Sequence, residues 1–499
     1  MTATHDVPAP QPFGPTPRDR LAVGLPAGFR VVRDPGTREV APGVWSGGSP
    51  ARVVRLTAAG RAAWRRLSAG PVDSRAVAAL ARRLTDAGLA HPDPVAVPAG
   101  TADVTIVVPA RDRAAFLDRC LAAFDRAYPV IVVDDGTMDA TALATVAAAH
   151  GATLVRRLDS GGPSAARNTG LDHVTTELVA FVDSDCVSGP GWIDQLAGHF
   201  ADPMVAAVAP RITALAGPTL AGRYARAAGC LDMGGHPARV VPNTRVSYVP
   251  TAALIARRSA LSAVAGPTGV FDPALTVGED VDLVWRLHTG GWRVRYDPAV
   301  RVNHHEPTTW PALLARRRRY GTSAAPLGIR HPRSLTPLVL EPWSALTVAA
   351  LLARRPLTAA AAFGLSLITT TRTLRAHGLP PAGALPVRAA AVAKTWLGVG
   401  RYATQYATPL LLALALPGGR TRRSRRAAVT ALVLGPPLVA WATRRPALDP
   451  IRFAAAAVAE DVAYGMGVWA GCLRHRTTVP LRPVVARRVA ALAGRRGTR

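Results

Sequence analysis

The apolar run Leu178-Val179-Ala180-Phe181-Val182 empties into Asp183-Ser184-Asp185, two carboxylates two residues apart. Hard oxygen ligands at a strand terminus can hold a divalent ion against a diphosphate and neutralise the charge of a leaving group. Two earlier apolar runs end in the same way. Val104–Val108 leads into Pro109-Ala110-Arg111-Asp112, and Ile131-Val132-Val133 leads into Asp134-Asp135-Gly136-Thr137. An acid at such an edge can accept hydrogen bonds from a base or ribose, although an ordinary Asp-Gly turn with a helix cap has the same appearance. Arg167-Asn168-Thr169-Gly170, preceded by Ser160-Gly161-Gly162-Pro163-Ser164, supplies a flexible turn and a fixed cation at a helix start, suited to a phosphate or sugar hydroxyl. Gly278-Glu279-Asp280 opens an amphipathic helix. The helix dipole favours acids there, and an Asp facing a cleft can also take a proton from an attacking hydroxyl.

The elements that must position these residues are legible as apolar periodicity. Strands are expected at Val104–Val108, Val130–Val133, Thr153–Val155 and Leu178–Val182, with helices at Phe116–Phe124 and Ala140–Ala149 between them. Strand–helix alternation with short Val/Ile runs predicts a mostly parallel sheet covered on both faces, an α/β fold that binds ligands beyond the carboxyl ends of its strands.

Around this domain the 499 residues divide further. Residues 1–20 are expected to be a disordered leader, because they are polar and proline-rich with no apolar core of a secretory signal. Residues 21–90 form a small α+β module, with short strands between Phe29 and Arg55 and helices over Pro50–Leu67 and Ser74–Ala90. Residues 91–102 are a proline-rich linker, and 103–330 hold the α/β domain. Residues 331–499 are apolar, Arg-rich and helical. Their charge-free windows, Pro356–Thr371, Tyr402–Gly419 and Ala427–Thr443, are at or just below the length of about 20 residues that crosses a bilayer. Weaker apolar runs lie near Ser334–Ala353 and Phe453–Leu473, the latter interrupted by Glu460 and Asp461. Spanning, interfacial and buried helices all remain open, and the arginines between the windows suit an anionic membrane surface.

The net charge is +28, yet the chain has a single lysine, Lys394, and 49% apolar residues. An arginine excess beside abundant Ala, Gly and Pro reflects genome composition, so nucleic acid is not expected as a partner. The four cysteines, Cys120, Cys186, Cys230 and Cys472, form no C-x-x-C pair and indicate neither disulfides nor zinc; a cytoplasmic location follows.

Val107-Val108-Pro109, the Asp134-Asp135-Gly136-Thr137 turn, Arg167-Asn168-Thr169-Gly170, Asp183-Ser184-Asp185 and Gly278-Glu279-Asp280 resemble, in order and spacing, the motifs of family 2 glycosyltransferases with the GT-A nucleotide-sugar-binding fold. The resemblance covers about residues 103–325. It implies that Asp134 holds the uracil of a UDP-sugar, with Pro109, Arg111, Asp135, Arg167 and Asn168 also in the donor site. Asp185 would hold a divalent metal, Mg2+ or Mn2+, with Asp183 close to the ribose and sugar. Asp280 would be the general base of an inverting transfer, and Glu279 would lie in the acceptor site. One of His304 and His305, here His305, would reach the metal or diphosphate. The run Arg316-Arg317-Arg318-Arg319-Tyr320 is similar to the Q-x-x-R-W element of processive synthases, with Arg316 in place of Gln and Tyr320 in place of Trp. Arg316, Arg319 and Tyr320 are thus expected at the acceptor or diphosphate.

The wider arrangement, with Leu25-Pro26-Ala27-Gly28-Phe29 and Gly47-Gly48-Ser49-Pro50 ahead of the transferase domain and an apolar tail behind it, is similar to the mycofactocin system glycosyltransferases of actinobacteria. That similarity implies glucose transfer from UDP-glucose to a peptide-derived redox cofactor, and a peptide-binding role for the first module. A transferase acting on polyprenyl phosphate or a cell-envelope polysaccharide, and a non-catalytic Arg-rich membrane scaffold, remain alternatives. The expected location is the cytoplasm or the inner face of the cell membrane.

Overall fold

The computed structural model describes residues 24–124, 127–215, 217–415 and 422–486; the expected leader lies outside the described residues. The centre is one sheet whose strands run in the spatial order Cys186–Ser188, Arg293–His305, Val205–Leu215, Ala253–Arg257, Leu178–Val182, Val104–Ala110, Val130–Asp135 and Thr153–Arg157. A further short strand, Ala238–Val240, pairs with Arg293–His305. The four strands that carry the first motifs are parallel to one another, as their helical crossovers require. Antiparallel pairing enters where Ala253–Arg257 joins Leu178–Val182, so the whole sheet is mixed.

Alternation along each strand sends successive side chains to opposite faces. Ile106 and Val108 join Leu117, Val132 and Leu143 in one apolar layer, whereas Val107 joins Val133, Phe181, Phe271 and Trp285 in the other. Each such side chain withdrawn from water contributes about 1.5–3 kcal/mol, which is why these runs are nearly all Val, Ile, Leu and Phe.

The small N-terminal module is α+β, with two boundary corrections. Residues Arg52–Arg55 form a strand against Val44–Gly47, so the helix expected from Pro50 starts at Ala58, where Thr57 caps it by accepting the Gly60 N–H at 3.1 Å. The expected linker begins as a strand, Ala90–Asp93, which pairs antiparallel with Arg30–Arg33 and closes the module. Its core is centred on Trp45, Leu67, Leu84 and Leu89. It docks on the α/β domain through a buried ion pair, Arg82 to Asp202 at 2.8 Å, and a partly buried one, Arg293 to Asp86 at 2.8 Å.

The apolar tail is helical: Pro342–Leu352, Pro356–Ala376, Ala384–Tyr406, Thr408–Ala415, Arg422–Arg444 and Pro450–Arg474. Among the described residues one helix, Arg423–Arg444, is long and apolar enough to cross a membrane. The last helix lies along Trp310–Gly321. A methyl group at Gly467 would collide with the Arg318 carbonyl, and one at Gly321 with the Tyr464 carbonyl, so the two backbones meet directly.

Candidate active site

The strand ends and the helix N-termini beyond them enclose a cavity of about 840 Å3. One wall comes from the first two strand edges. Gly136 has φ of +70° and a Cβ there would stand 2.7 Å from the Ser160 amide, so only glycine lets the second edge meet the third. Asp135 faces the cavity and is held by four donors: Arg157 Nε at 2.8 Å, Ser160 Oγ at 2.8 Å, and the amides of Gly161 at 3.0 Å and Gly162 at 2.8 Å. Burial raises its pKa, but those hydrogen bonds outweigh it and hold the carboxyl below the ordinary range. Arg111 reaches across to Ser160 Oγ at 2.8 Å.

Arg167 forms the floor. Only 2% exposed, it donates from Nη2 to Asp183 Oδ1 at 2.6 Å and from Nη1 to Glu279 Oε1 at 2.8 Å. Burial works against its charge, but Asp183 and Glu279 more than offset this and hold the guanidinium above its usual range. The bridge ties the Asp183-Ser184-Asp185 edge to the helix Glu279–Thr289, bringing Asp280 into the same cavity as Asp183 and Asp185. Gly278, at φ +85°, starts that helix, and a Cβ there would stand 2.8 Å from the Ser323 Cβ. Burial first, then the neighbouring Glu279, pushes the Asp280 carboxyl up to about 7.

Asp185 faces His304, with Oδ1 and Nε2 3.4 Å apart, while His304 Nδ1 meets Glu306 Oε1 at 3.1 Å. Burial pushes the His304 pKa down and favours the neutral ring. With Nδ1–H donated to Glu306, Nε2 turns a lone pair toward the carboxylate, an arrangement that a cation between them resolves. Burial, with Asp183 adding to it, raises the Asp185 pKa. Among the described residues no three His, Cys, Asp or Glu side chains converge as a complete metal cage. Asp185 and His304 instead make a two-ligand edge open to the cavity, which fits an ion completed by phosphate oxygens and water.

Of the residues expected from sequence, Pro109, Arg111, Asp135, Arg167, Asp183, Asp185, Glu279, Asp280, Arg316, Arg319 and Tyr320 line the cavity. Three do not. Asp134 is fully buried, accepting from the Thr137 amide at 2.9 Å and facing Arg156 at 3.3 Å. Asn168 points away from the cavity and pins the 268–271 loop, donating to the Phe271 carbonyl at 2.7 Å and accepting its amide at 2.9 Å. His305 packs edge-on against Phe116, ring centroids 4.9 Å apart, because it leaves its strand on the face opposite to His304. The cavity adds His304, Tyr248, Arg317 and Tyr464. For His304 the signal was strand alternation; for Tyr464, which arrives from the tail, there was none.

Residues 105–262 match the family described as Glycosyl transferase family 2. A curated relative from Mycobacterium tuberculosis, "Pre-mycofactocin glycosyltransferase", is 38% identical over 484 residues, covering 93% of this chain and 99% of the relative. The chain belongs to the pre-mycofactocin glycosyltransferases of family 2. It is a glycosyltransferase, and its central domain is GT-A. "Glycosyltransferase AglE" of Haloferax volcanii is 30% identical over 101 residues, 18% of this chain and 33% of that relative. Among solved structures, a mannosyltransferase from Pyrobaculum calidifontis in complex with GDP-Man and Mn2+ matches with TM-score 0.37 and 21% identity, over 69% of this chain and 89% of that one.

Proposed function

We propose that this glycosyltransferase moves glucose from UDP-glucose, with inversion, onto a peptide-derived redox cofactor of the pre-mycofactocin type. The observation that carries the reading is the Asp183–Arg167–Glu279 bridge, which brings Asp280 and Asp185 to one cavity. An acceptor hydroxyl attacks the anomeric carbon as its proton passes to Asp280, and the bond from that carbon to the diphosphate oxygen breaks, releasing UDP. A divalent metal, Mg2+ or Mn2+, held by Asp185 and His304, would supply charge neutralisation at the departing diphosphate. Arg167 holds Asp183 and Glu279 in register. Asp135 and Arg111 form the wall offered to the nucleoside.

The acceptor rests on the similarity to the curated relative, whose name carries it, and the donor on the family resemblance of the sequence motifs. The small N-terminal module would present the peptide-derived part of that acceptor. The tail supports a place at the inner face of the membrane, since Leu357, Leu410, Leu412 and Ile451 expose apolar side chains and the helix Arg422–Arg444 opens on a run of arginines. The test is to incubate purified protein with UDP-glucose, Mg2+ or Mn2+ and the peptide-derived cofactor, and to read the product mass. A ladder of hexose additions is expected. UDP release without hexose on this acceptor would turn the search to lipid or polysaccharide acceptors.

A further inference from the structure

The sequence places Glu460, beside Asp461, in the middle of a mostly apolar tail helix, Pro450–Arg474, where an unpaired charge would be costly. The fold gives it a use. Glu460 Oε1 lies 3.5 Å from Arg317 Nε, and Oε2 accepts the Tyr224 hydroxyl at 2.8 Å. Tyr464, one turn further along the same helix, lays its ring under the Arg317 guanidinium, 5.0 Å from centroid to Cζ. Arg317 lines the active-site cavity, and its buried Nε has no hydrogen-bond partner among the described residues. The helix Trp310–Gly321 that carries Arg317 is pressed backbone to backbone on the tail helix through Gly321 and Gly467, so Glu460 and Tyr464 cannot drift from it.

We propose that Glu460 is a positioning residue for the transfer: from the C-terminal helix it aims the Arg317 guanidinium into the cavity, where that cation meets the negative charge of the departing diphosphate. The inference rests on the glycosyl-transfer reading of the cavity. It also gives the tail a part in the active site itself. A carboxylate that approaches the cation at Nε, while a tyrosine holds the carboxylate, fixes direction without occupying the terminal guanidinium nitrogens. An arginine held this way stabilises charge that grows as the bond to the diphosphate breaks, so its effect appears in kcat rather than in donor KM.

The experiment uses the full chain with UDP-glucose, metal and acceptor, reading kcat and donor KM for Glu460→Gln, Tyr224→Phe, Arg317→Ala and the combinations with Arg317→Ala. Glu460→Gln keeps an acceptor for the Tyr224 hydroxyl and removes only the charge. Its kcat is expected to fall roughly tenfold with donor KM within about twofold, and Tyr224→Phe should give a smaller fall of the same kind. Placed on Arg317→Ala, neither change should lower kcat further, the non-additivity of residues acting through one another. A Glu460→Gln enzyme with wild-type kcat overturns the proposal. So does an equal loss in the Arg317→Ala background, the result a purely structural role gives; Tyr224→Phe reads the same coupling if Glu460→Gln fails to fold. Wild-type protein that releases no UDP from any nucleotide sugar overturns the transfer reading and this inference with it, a result distinct from wild-type turnover that ignores Glu460.

Discussion

His304 Nε2 stands 3.4 Å from Asp185 Oδ1 in the wall of the cavity, with Glu306 behind the ring at 3.1 Å. A neutral imidazole backed by a carboxylate is the arrangement that orients a metal ligand. His304→Ala should therefore raise the Mn2+ or Mg2+ concentration that gives half-maximal rate, by about 10–100-fold. His305→Ala, which removes a ring packed on Phe116, should leave metal dependence unchanged. Equal metal responses from the two variants would remove His304 from the metal site.

That pair illustrates what the sequence could and could not disclose. The strand ends, the acids on them and the Gly278-Glu279-Asp280 helix start are local patterns, and the apolar runs placed each of them at the correct edge of the sheet. The expected residues that stand outside the cavity are each next to one that lines it: Asp134 beside Asp135 and His305 beside His304 on strands, and Asn168 beside Arg167 on a helix. Adjacent residues on a strand face opposite ways, and which one meets the cavity depends on register with strands far off in the chain. Glu460 was visible only as an interruption of an apolar window. Its partner Arg317 lies in a distant segment that no periodicity connects to it.

The Asp280 carboxyl, pushed up to about 7 by burial and then by Glu279, titrates in the working range. As the general base it must be ionised, so kcat/KM should fall about tenfold per pH unit below that value and level off above it. Asp280→Asn should abolish turnover while UDP still binds, as calorimetry would record. The sign for stability is opposite. A carboxyl whose folded pKa exceeds its unfolded value of 3.8 contributes stability fully present below 3.8 and lost as pH rises through about 7. Asp280→Asn, which can still accept the Val281 amide, should accordingly raise Tm more at pH 8 than at pH 5. A wild-type rate that stays flat from pH 8 to pH 5 would contradict the assignment.

The N-terminal module is held by charge withdrawn from water, because Arg82 and Asp202 are 5% and 1% exposed. Asp202→Ala leaves the guanidinium buried against the α/β domain without its carboxylate, and should cost about 3–5 kcal/mol, seen as a lower denaturation midpoint. Arg82→Met combined with Asp202→Leu should recover most of that loss, because well-packed apolar side chains replace a buried pair at little net cost. A double variant no more stable than Asp202→Ala alone would show that the contact does not behave as an isolated buried pair.

Arg167 joins two acids that sequence places far apart, and its planar fork reaches both at once, at 2.6 and 2.8 Å. A lysine offers one compact charge and cannot span the same gap. Arg167→Lys should lower kcat roughly 10–100-fold by releasing either Asp183 or Glu279, while leaving the acid limb of the pH profile in place because the positive charge remains. Arg167→Met removes the charge as well. Since that charge lowers the Asp280 pKa, the acid limb should then move to higher pH. The contrast between the variants separates geometry from electrostatics: an acid limb that shifts with lysine as far as with methionine would mean that Arg167 acts on Asp280 through the position of the helix Glu279–Thr289 rather than through its field.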